Sequence, residues 1–469
     1  METRQRTANR GSVSTKYDVD NSVKLDRLNA EKLQFTFDQA ATNLKKNTLS
    51  IWFKRNVIGV NQGLYQFGDD ASGEHTYIRF TSSDDKGFLR GNFGSNVQFL
   101  LTTQSFRDTS AWYHLVVAWD TTQSTASDRL KVYLNGSEIT AFDTDNRSSV
   151  IPLNHDTPNG ENGKSVIIGE GVYDISAYIA ETNFVDGQAL APTSFGEFDS
   201  GSGIWKPKEY TGTYGNNGFY LDFKNSSNLG EDQSGNNHDF TLNNITAADQ
   251  STDTCTNNFC TLNPLVNFKY TTNEITEGAT EFGDDTGGGV GGAFGTFAVT
   301  KGKWYWEVKL TQQNSHYIGV SAVDDGDNVF ASTDPQDENS SFVFNIAVAR
   351  IEYVNSGTKS YGSADAFTDF HSAGDIIGIA LNMDDNQISI YGNGTLQSGV
   401  ANSSIYDAAN KMVVPFHGTI NDECQYNFGG YSAWTPASAA SDANGYGTFE
   451  YAPPSGYYAL CTKNLAEYG

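Results

Sequence analysis

Cysteine, methionine, proline and basic residues are all scarce in this chain of 469 residues. It has 4 Cys, 3 Met and 10 Pro, and its 30 Lys and Arg are outnumbered by 56 Asp and Glu. The resulting net charge of −26 repels nucleic acid and anionic membrane surfaces, which excludes DNA or RNA as an expected partner. No apolar run approaches the ~20 residues of a membrane helix, so membrane insertion is not expected.

The cysteines, Cys255, Cys260, Cys424 and Cys461, are too few and too scattered to form a disulfide framework. Cys255 and Cys260 are close enough in sequence to pair, but their spacing does not decide whether they do. The N-terminus lacks the apolar core of a secretory signal, so synthesis in a reducing cytoplasm with free thiols is expected.

Motifs for zinc, nucleophilic and nucleotide chemistry are absent or out of context. The seven histidines show no H-x-x-x-H spacing and there is no C-x-x-C, so the sequence predicts no zinc site. There is also no G-x-S-x-G nucleophile elbow. Gly287–Gly292 fits G-x-G-x-x-G, but it precedes a strand instead of opening a helix, and a flexible loop is predicted there.

Aromatic residues and glycine, in contrast, are abundant. The chain contains 29 Phe, 24 Tyr, 7 Trp and 47 Gly. Aromatic and β-branched side chains suit a pleated, half-buried surface, and a high content of Gly, Asn, Asp and Ser is typical of many turns. The composition predicts an all-β protein with many short strands.

One supersecondary unit occurs twice in the sequence, about 260 residues apart. In Trp112–Gly136, a nearly continuous apolar run is followed by a polar turn, an alternating strand and Asn-Gly. Gly374–Gly394 repeats that order and also ends in Asn-Gly. Since Asn-Gly favours a tight hairpin turn, both stretches predict a β-hairpin. A period this long excludes a solenoid and indicates two tandem antiparallel sandwiches on related plans.

The predicted boundaries follow from these patterns and from composition. Residues 1–24 form a flexible basic arm, because residues 1–16 carry four basic residues and one acid, 4 − 1 = +3, in an acidic chain. Residues 25–265 form the first sandwich, whose last strands include FYLDF and HDFTL. Residues 266–469 form the second sandwich.

Two families are similar to these halves. The motifs NTLSIWFKR, DTSAWYHLVVAWDTTQSTASDRLKVYLNG and GIWKPKEYTGTYGNNGFYLDF resemble the laminin-G-like, concanavalin A-like lectin fold of bacteriophage structural proteins, a jelly-roll sandwich. The motifs GKWYWEVKL, YIGVSAVD, GDIIGIALNMDDNQISIYGNG, VVPFHGT and YNFGG resemble a SPRY domain, and they occur in the expected order. The ending PPSGYYALCTKNL is similar to the tails of phage proteins of this type.

The resemblance implies a non-catalytic virion protein, either a tail fibre or appendage or a capsid decoration. Its expected partners are other virion proteins and a host-surface carbohydrate or protein receptor. By analogy with fibres it implies a homo-oligomer, with a trimer as the expectation, although no heptads or β-helix repeats enforce one. A polysaccharide depolymerase is the alternative, since related sandwiches include glucanases.

Candidate ligand residues lie in the SPRY-like half. Asp324, Asp325, Asp327 and Asn328 follow the predicted strand Tyr317–Val323, where SPRY domains have variable binding loops. Their hard oxygens could hold Ca²⁺, although the spacing is not that of an EF-hand and such residues also simply make turns. No cofactor is otherwise indicated. Trp434, like the loop aromatics Trp205, Tyr210 and Tyr214, could stack on a sugar or cover the core.

A glucanase would need two carboxylates facing a sugar cleft. In the related glucanases they lie on one strand as Glu-x-Asp-x-x-Glu. The nearest string here is Glu197-Phe198-Asp199, which has no third acid and lies in turn-like sequence. Hydrolase activity is therefore the less favoured interpretation.

Overall fold

The structure is a computed structural model that describes residues 17–68, 73–93, 96–169, 173–267, 274–283, 290–312, 315–323, 341–355, 358–367, 372–420 and 423–469. Within these ranges it is almost entirely antiparallel β-sheet, which confirms the predicted fold class. Over the same residues, no helix is both long and apolar enough to cross a bilayer. The chain divides into two compact units at Asn257–Asn258.

The first unit is a sandwich of two eight-stranded sheets. Its short helix α1 is Arg147–Val150, and single 3₁₀ turns lie at Ala126–Asp128, Pro192–Ser194 and Ala247–Asp249. Its strands are β1 (Ser22–Leu25), β2 (Lys32–Thr36), β3 (Lys46–Arg55), β4 (Gln62–Gly68), β5 (His75–Phe80), β6 (Lys86–Asn92), β7 (Asn96–Ser105), β8 (Tyr113–Asp120), β9 (Leu130–Leu134), β10 (Ser137–Glu138), β11 (Phe142–Asp145), β12 (Ser165–Ile168), β13 (Ala177–Asp186), β14 (Gly196–Phe198), β15 (Trp205–Pro207), β16 (Phe219–Leu221), β17 (Thr241–Asn243) and β18 (Gln250–Ser251).

One sheet has the order β10-β9-β8-β3-β13-β1-β18, with β16 also paired to β13, and the other has the order β11-β7-β6-β5-β4-β12-β2-β17. Strands from the two ends of the unit pair with each other, β1 with β18 and β2 with β17. FYLDF and HDFTL therefore complete the first sandwich, as predicted. The hairpin β14–β15 forms a separate two-stranded sheet.

The second unit is also a two-sheet sandwich, with the C-terminal helix α2 at Thr462–Tyr468. Short 3₁₀ turns lie at Glu277–Ala279, Ser398–Val400 and Tyr406–Ala408. Its strands are β19 (Leu262–Asn267), β20 (Glu274–Thr276), β21 (Glu281–Gly283), β22 (Val290–Gly295), β23 (Lys303–Leu310), β24 (Ser315–Ala322), β25 (Ser341–Asn345), β26 (Arg350–Asn355), β27 (Thr358–Tyr361), β28 (Ile376–Asn382), β29 (Gln387–Gly392), β30 (Thr395–Leu396), β31 (Ser403–Ser404), β32 (Val413–Ile420), β33 (Cys424–Asn427) and β34 (Tyr458–Ala459).

The sheet orders are β19-β22-β32-β24-β25-β26-β27 and β20-β21-β33-β23-β28-β29-β30, with β31 paired to β29 and β34 to β23. The β23–β34 pair is parallel, whereas the other pairs of this unit are antiparallel over the described residues. Alternate residues of β23, namely Trp304, Trp306, Val308 and Leu310, fill the core between the sheets.

The repeated supersecondary unit has the same geometry in both sandwiches. It is β8–β9 in the first and β28–β29 in the second, and each strand pair is antiparallel. The Asn and Gly that follow β9 have φ of 47° and 80°, and those that follow β29 have φ of 46° and 79°. In both copies the Asn side-chain oxygen accepts a main-chain N–H at the start of the first strand, from His114 to Asn135 (2.8 Å) and from Ile376 to Asn393 (2.9 Å).

Two boundaries lie elsewhere than predicted. The arm assigned to residues 1–24 is too long, because β1 begins at Ser22 and Val19 is already buried, with its N–H donated to the Thr256 hydroxyl (3.1 Å). Residues 1–16 lie outside the described ranges. The second unit begins at Asn258 instead of residue 266, because Phe259 forms a β-bridge with Cys461.

Candidate functional site

The acidic loop predicted from sequence, Asp324, Asp325, Asp327 and Asn328, lies outside the described residues, so its role stays a prediction. Trp434 is described and is only 8% exposed. The ammonium of Lys309 lies 5.8 Å from the centroid of its ring. Little of the Trp434 surface is therefore available to stack on a sugar.

The other loop aromatics mostly cover the first sandwich. The half-buried Tyr210 and Tyr214 pack over a small cluster that contains Val116, Val185 and Phe195. Trp205 is 8% exposed, but the ring of Phe198, which packs edge-on against it, is 55% exposed. Nothing in the sequence distinguishes Phe198 from the other aromatic residues of this turn-rich segment.

A buried Ser–His pair in the first sandwich has a structural role and not a catalytic one. His114 Nε2 lies 2.8 Å from the Ser50 hydroxyl, and its Nδ1 accepts the indole N–H of Trp205 (2.9 Å). Because indole is only a donor, Nδ1 carries no proton and Nε2–H must donate to Ser50. Burial lowers the pKa of His114 to about 3. In this state the imidazole has no lone pair facing Ser50, so it cannot act as its general base.

A carboxylate cluster lies on β13, at a bulge between Ala180 and Asn183. Glu181 takes the left-handed backbone conformation there, with φ of 45°, and it is 6% exposed. Its two carboxylate oxygens accept the hydroxyls of Tyr17 (2.6 Å) and Tyr220 (2.9 Å), which lie 2.8 Å from each other. We call Glu181, Tyr17 and Tyr220 the Glu181 cluster.

The electrostatics of the Glu181 cluster follow from its burial. Desolvation raises the pKa of Glu181 to about 7, although both tyrosine hydrogen bonds act in the opposite direction. Burial, and then the charge of Glu181, raise the pKa of the Cys255 thiol. A buried acid with such a pKa at a strained bulge is a recognised mark of a functional site, and ion-pair networks in cores produce it as well.

Two other buried glutamates have pKa values raised to about 7 by desolvation, Glu31 and Glu307. Glu31 accepts the Lys24 ammonium (3.2 Å) and the Asp26 main-chain N–H (2.7 Å). Glu307 accepts four donors, from the side chains of Tyr305 and Asn427 and from the main chain of Glu450 and Tyr451. Glu307 therefore ties separate chain segments together, whereas Glu31 stabilises the connection between β1 and β2.

The acid string considered from sequence lies in the β14–β15 hairpin. Asp199 accepts the N–H groups of Gly201 and Ser202 and the hydroxyl of Ser202, so it closes a turn. These hydrogen bonds lower the pKa of Asp199 to about 2, and the one from the main chain of Ser202 has the largest effect. An acid ionised in this way cannot supply the proton of a glycosidase general acid.

Over the described residues, one group of metal-ligating side chains comes together, in the second sandwich, and the sequence did not predict it. His316, His417 and Cys424 are fully buried, and one ligand atom from each lies within 4.8 Å of the others. Only His417 and Cys424 are near in sequence, and their spacing matches no zinc motif. All four cysteines of the chain lie in the described ranges and are reduced thiols.

Family models match both sandwiches. Residues 29–188 match the concanavalin A-like lectin/glucanases superfamily, and residues 303–431 match the SPRY domain. A search of curated proteins gave no significant match.

Solved structures with similarity include the SPRY domain of human HERC1 (16% identity, 35% of this chain and 96% of that chain, TM-score 0.24). Another is the heptameric SAP-like pentraxin of Limulus polyphemus (17%, 37% and 80%, TM-score 0.26). A third is domains LG4-5 of the mouse laminin α1 chain (8%, 88% and 89%, TM-score 0.29). On the two family models, the chain carries a laminin-G-like, concanavalin A-like lectin domain and a SPRY domain in tandem.

Proposed function

We propose that this chain is a non-catalytic structural protein of a phage virion that binds a carbohydrate or protein on the host surface. The observation that carries the proposal is the tandem of two domains of binding type, a lectin-like sandwich and a SPRY sandwich. Neither family depends on a catalytic centre for its binding role. The phage-like C-terminal motif is what links this binding role to a virion.

The charge and the side-chain roles agree with binding. A net charge of −26 keeps such a protein soluble and away from nucleic acid. In the described part of the chain, Ser50–His114 has the wrong proton arrangement for catalysis, and Glu31 and Glu307 are occupied by donors. The acidic loop of residues 324–328 remains the proposed ligand site of the SPRY half, with Ca²⁺ as its proposed ion. We further propose a homotrimer, by analogy with fibres.

Electron microscopy of purified virions labelled with antibody to this chain tests the structural role. We expect label at the tail or on the capsid surface, and unlabelled particles would reject a virion location. Binding is tested separately with the purified chain on an array of host-surface glycans and on host-envelope proteins. Retention on neither would reject the receptor-binding role.

A polysaccharide depolymerase is the second candidate, and one observation favours it. Glu181 has a pKa of about 7, near the value useful to a general acid, and the charge of Asp222 contributes to raising it. Glu181 lies within residues 29–188, which match a superfamily that includes glucanases, and Asp222 lies in the same sandwich beyond that match. Release of reducing sugar from host glycans by the wild-type chain, lost in Glu181→Gln, would place this function above the first.

A further inference from the structure

His316, His417 and Cys424 point into the same interior because of strand register. On β24, His316 is two residues before Ile318, a core residue that pairs directly with His417 of β32. Side chains alternate along a strand, so both imidazoles face the core. Cys424 begins β33 in the opposite sheet and belongs to the same core as Tyr426 two residues later. The three side chains thus bridge the two sheets.

The spacing of the ligand atoms suits a tetrahedral metal. His417 Nε2 lies 3.5 Å from Cys424 Sγ. A zinc ion bound to nitrogen at about 2.0–2.1 Å and to sulfur at about 2.3 Å holds these two atoms about 3.5 Å apart. The ring centroids of His316 and His417 are 5.6 Å apart, and all three ligand atoms fit within 4.8 Å. Two imidazoles and a thiolate are ligands that zinc prefers.

A neighbouring hydroxyl orients the imidazole of His417. His417 Nδ1 lies 3.0 Å from the Tyr426 hydroxyl, and if Nδ1–H donates to that oxygen, the Nε2 lone pair is left for a metal. Metal-binding histidines commonly use their second nitrogen in this way.

We propose that His316, His417 and Cys424 bind one zinc ion that links the two sheets of the SPRY sandwich. Cys424 Sγ lies at nearly the same distance from both nitrogens of His417, 3.6 and 3.5 Å, and therefore sits over the ring edge. Binding a metal through Nε2 therefore requires the His417 ring to rotate, because a sulfur equidistant from both ring nitrogens does not lie along the Nε2 lone pair. Because all three side chains are 0% exposed, the ion enters while the sandwich folds. The site is independent of the proposed receptor-binding role.

The test uses the full-length chain, unfolded with a chelator and refolded with zinc, with cobalt(II) or with EDTA. Metal content after desalting, thermal unfolding and the cobalt absorption spectrum are then measured. Cys424→Ser removes the proposed thiolate ligand. Cys461→Ser is the matched control, because Cys461 is also 0% exposed in the same sandwich and lies outside the group of three.

We expect one zinc per chain, a higher unfolding temperature for the zinc form than for the EDTA form, and a thiolate-to-cobalt charge-transfer band. Cys424→Ser should lose the charge-transfer band and bind zinc at least ~10-fold more weakly. Cys461→Ser should keep the band and the zinc affinity of the wild type. Tyr426→Phe should weaken zinc binding by about 10–100-fold with the band retained.

A folded wild-type chain that retains neither zinc nor cobalt would overturn the proposal, and so would a band that persists in Cys424→Ser. If Cys424→Ser does not fold, X-ray absorption at the zinc edge of the wild-type chain shows whether a sulfur atom coordinates the metal. One sulfur ligand supports the site, and the absence of sulfur from the coordination sphere rejects it.

Discussion

At the residue scale, the buried polar groups of this protein have roles that depend on their hydrogen-bond partners. His114 is an example, because it is a fully buried histidine on β8 with a hydrogen-bond partner at each ring nitrogen. Its acceptor role toward Trp205 depends on a residue 91 positions away. The distant partner fixes the tautomer, and the tautomer excludes base catalysis.

Glu181 should make the stability of the first sandwich depend on pH. Its pKa is about 7 in the folded chain and lies near 4.5 when exposed, so the folded state holds the extra proton between these values. Its contribution to the free energy of unfolding is therefore full below about pH 4.5 and is lost as pH rises through 7. A shift of this size corresponds to about 3 kcal/mol.

Glu181→Gln mimics the protonated acid at every pH, so the variant should gain stability over the wild type as pH rises from 5 to 8. Urea unfolding at several pH values measures the difference, and Glu197→Gln on the exposed hairpin is the control. A difference between wild type and Glu181→Gln that does not change with pH would contradict the raised pKa. Burial also lowers the pKa of three histidines, His114, His316 and His417. They are present in the wild type and in both variants, so their effect on the pH dependence of stability cancels in the comparison.

At the element scale, the repeated hairpin shows how far local sequence specifies structure. Both Asn-Gly turns adopt the left-handed backbone that the dipeptide favours. What the sequence did not show is that an aromatic ring covers each turn. A Cβ at Gly136 would collide with the Trp205 ring, and one at Gly394 would lie 2.5 Å from the Tyr451 ring.

Gly394→Ala should therefore destabilise the second sandwich more than left-handed backbone strain alone. Gly445→Ala is the control, because Gly445 has nearly the same φ, 80°, but nothing within 4 Å of its Cβ position. Strain alone costs about 1–2 kcal/mol, and the collision with Tyr451 adds to it. Chemical denaturation measures both variants, and equal losses would show that the ring moves aside at no cost.

At the scale of the whole molecule, the start of the second sandwich is set by its core. Composition placed the boundary at residue 266, since Asn, Ser and Asp dominate the preceding segment. The structure places Phe259, Cys260 and Leu262 in the second sandwich, each only 1% exposed. Three apolar residues in a polar segment carry no periodicity, and their partners are far along the chain.

A fragment of residues 258–469 should consequently be more stable than a fragment of residues 266–469. Burying each large apolar side chain contributes about 1.5–3 kcal/mol, so loss of this segment costs several such contributions. Circular dichroism and urea unfolding of the two fragments measure the effect. Indistinguishable stabilities would favour the boundary predicted from composition.

The sequence by itself determined the all-β class, the two-sandwich plan and the hairpins, because period-two alternation and turn residues are local properties. It also carried the motifs that the family models match. Only the tertiary structure decided the Glu181 cluster and the group of His316, His417 and Cys424. Tyr17 meets Glu181 across 164 positions, and His316 meets Cys424 between opposite sheets. These contacts depend on the order of the strands in the sheets and on a β-bulge. The sequence spacing of the contacting residues does not reveal either feature.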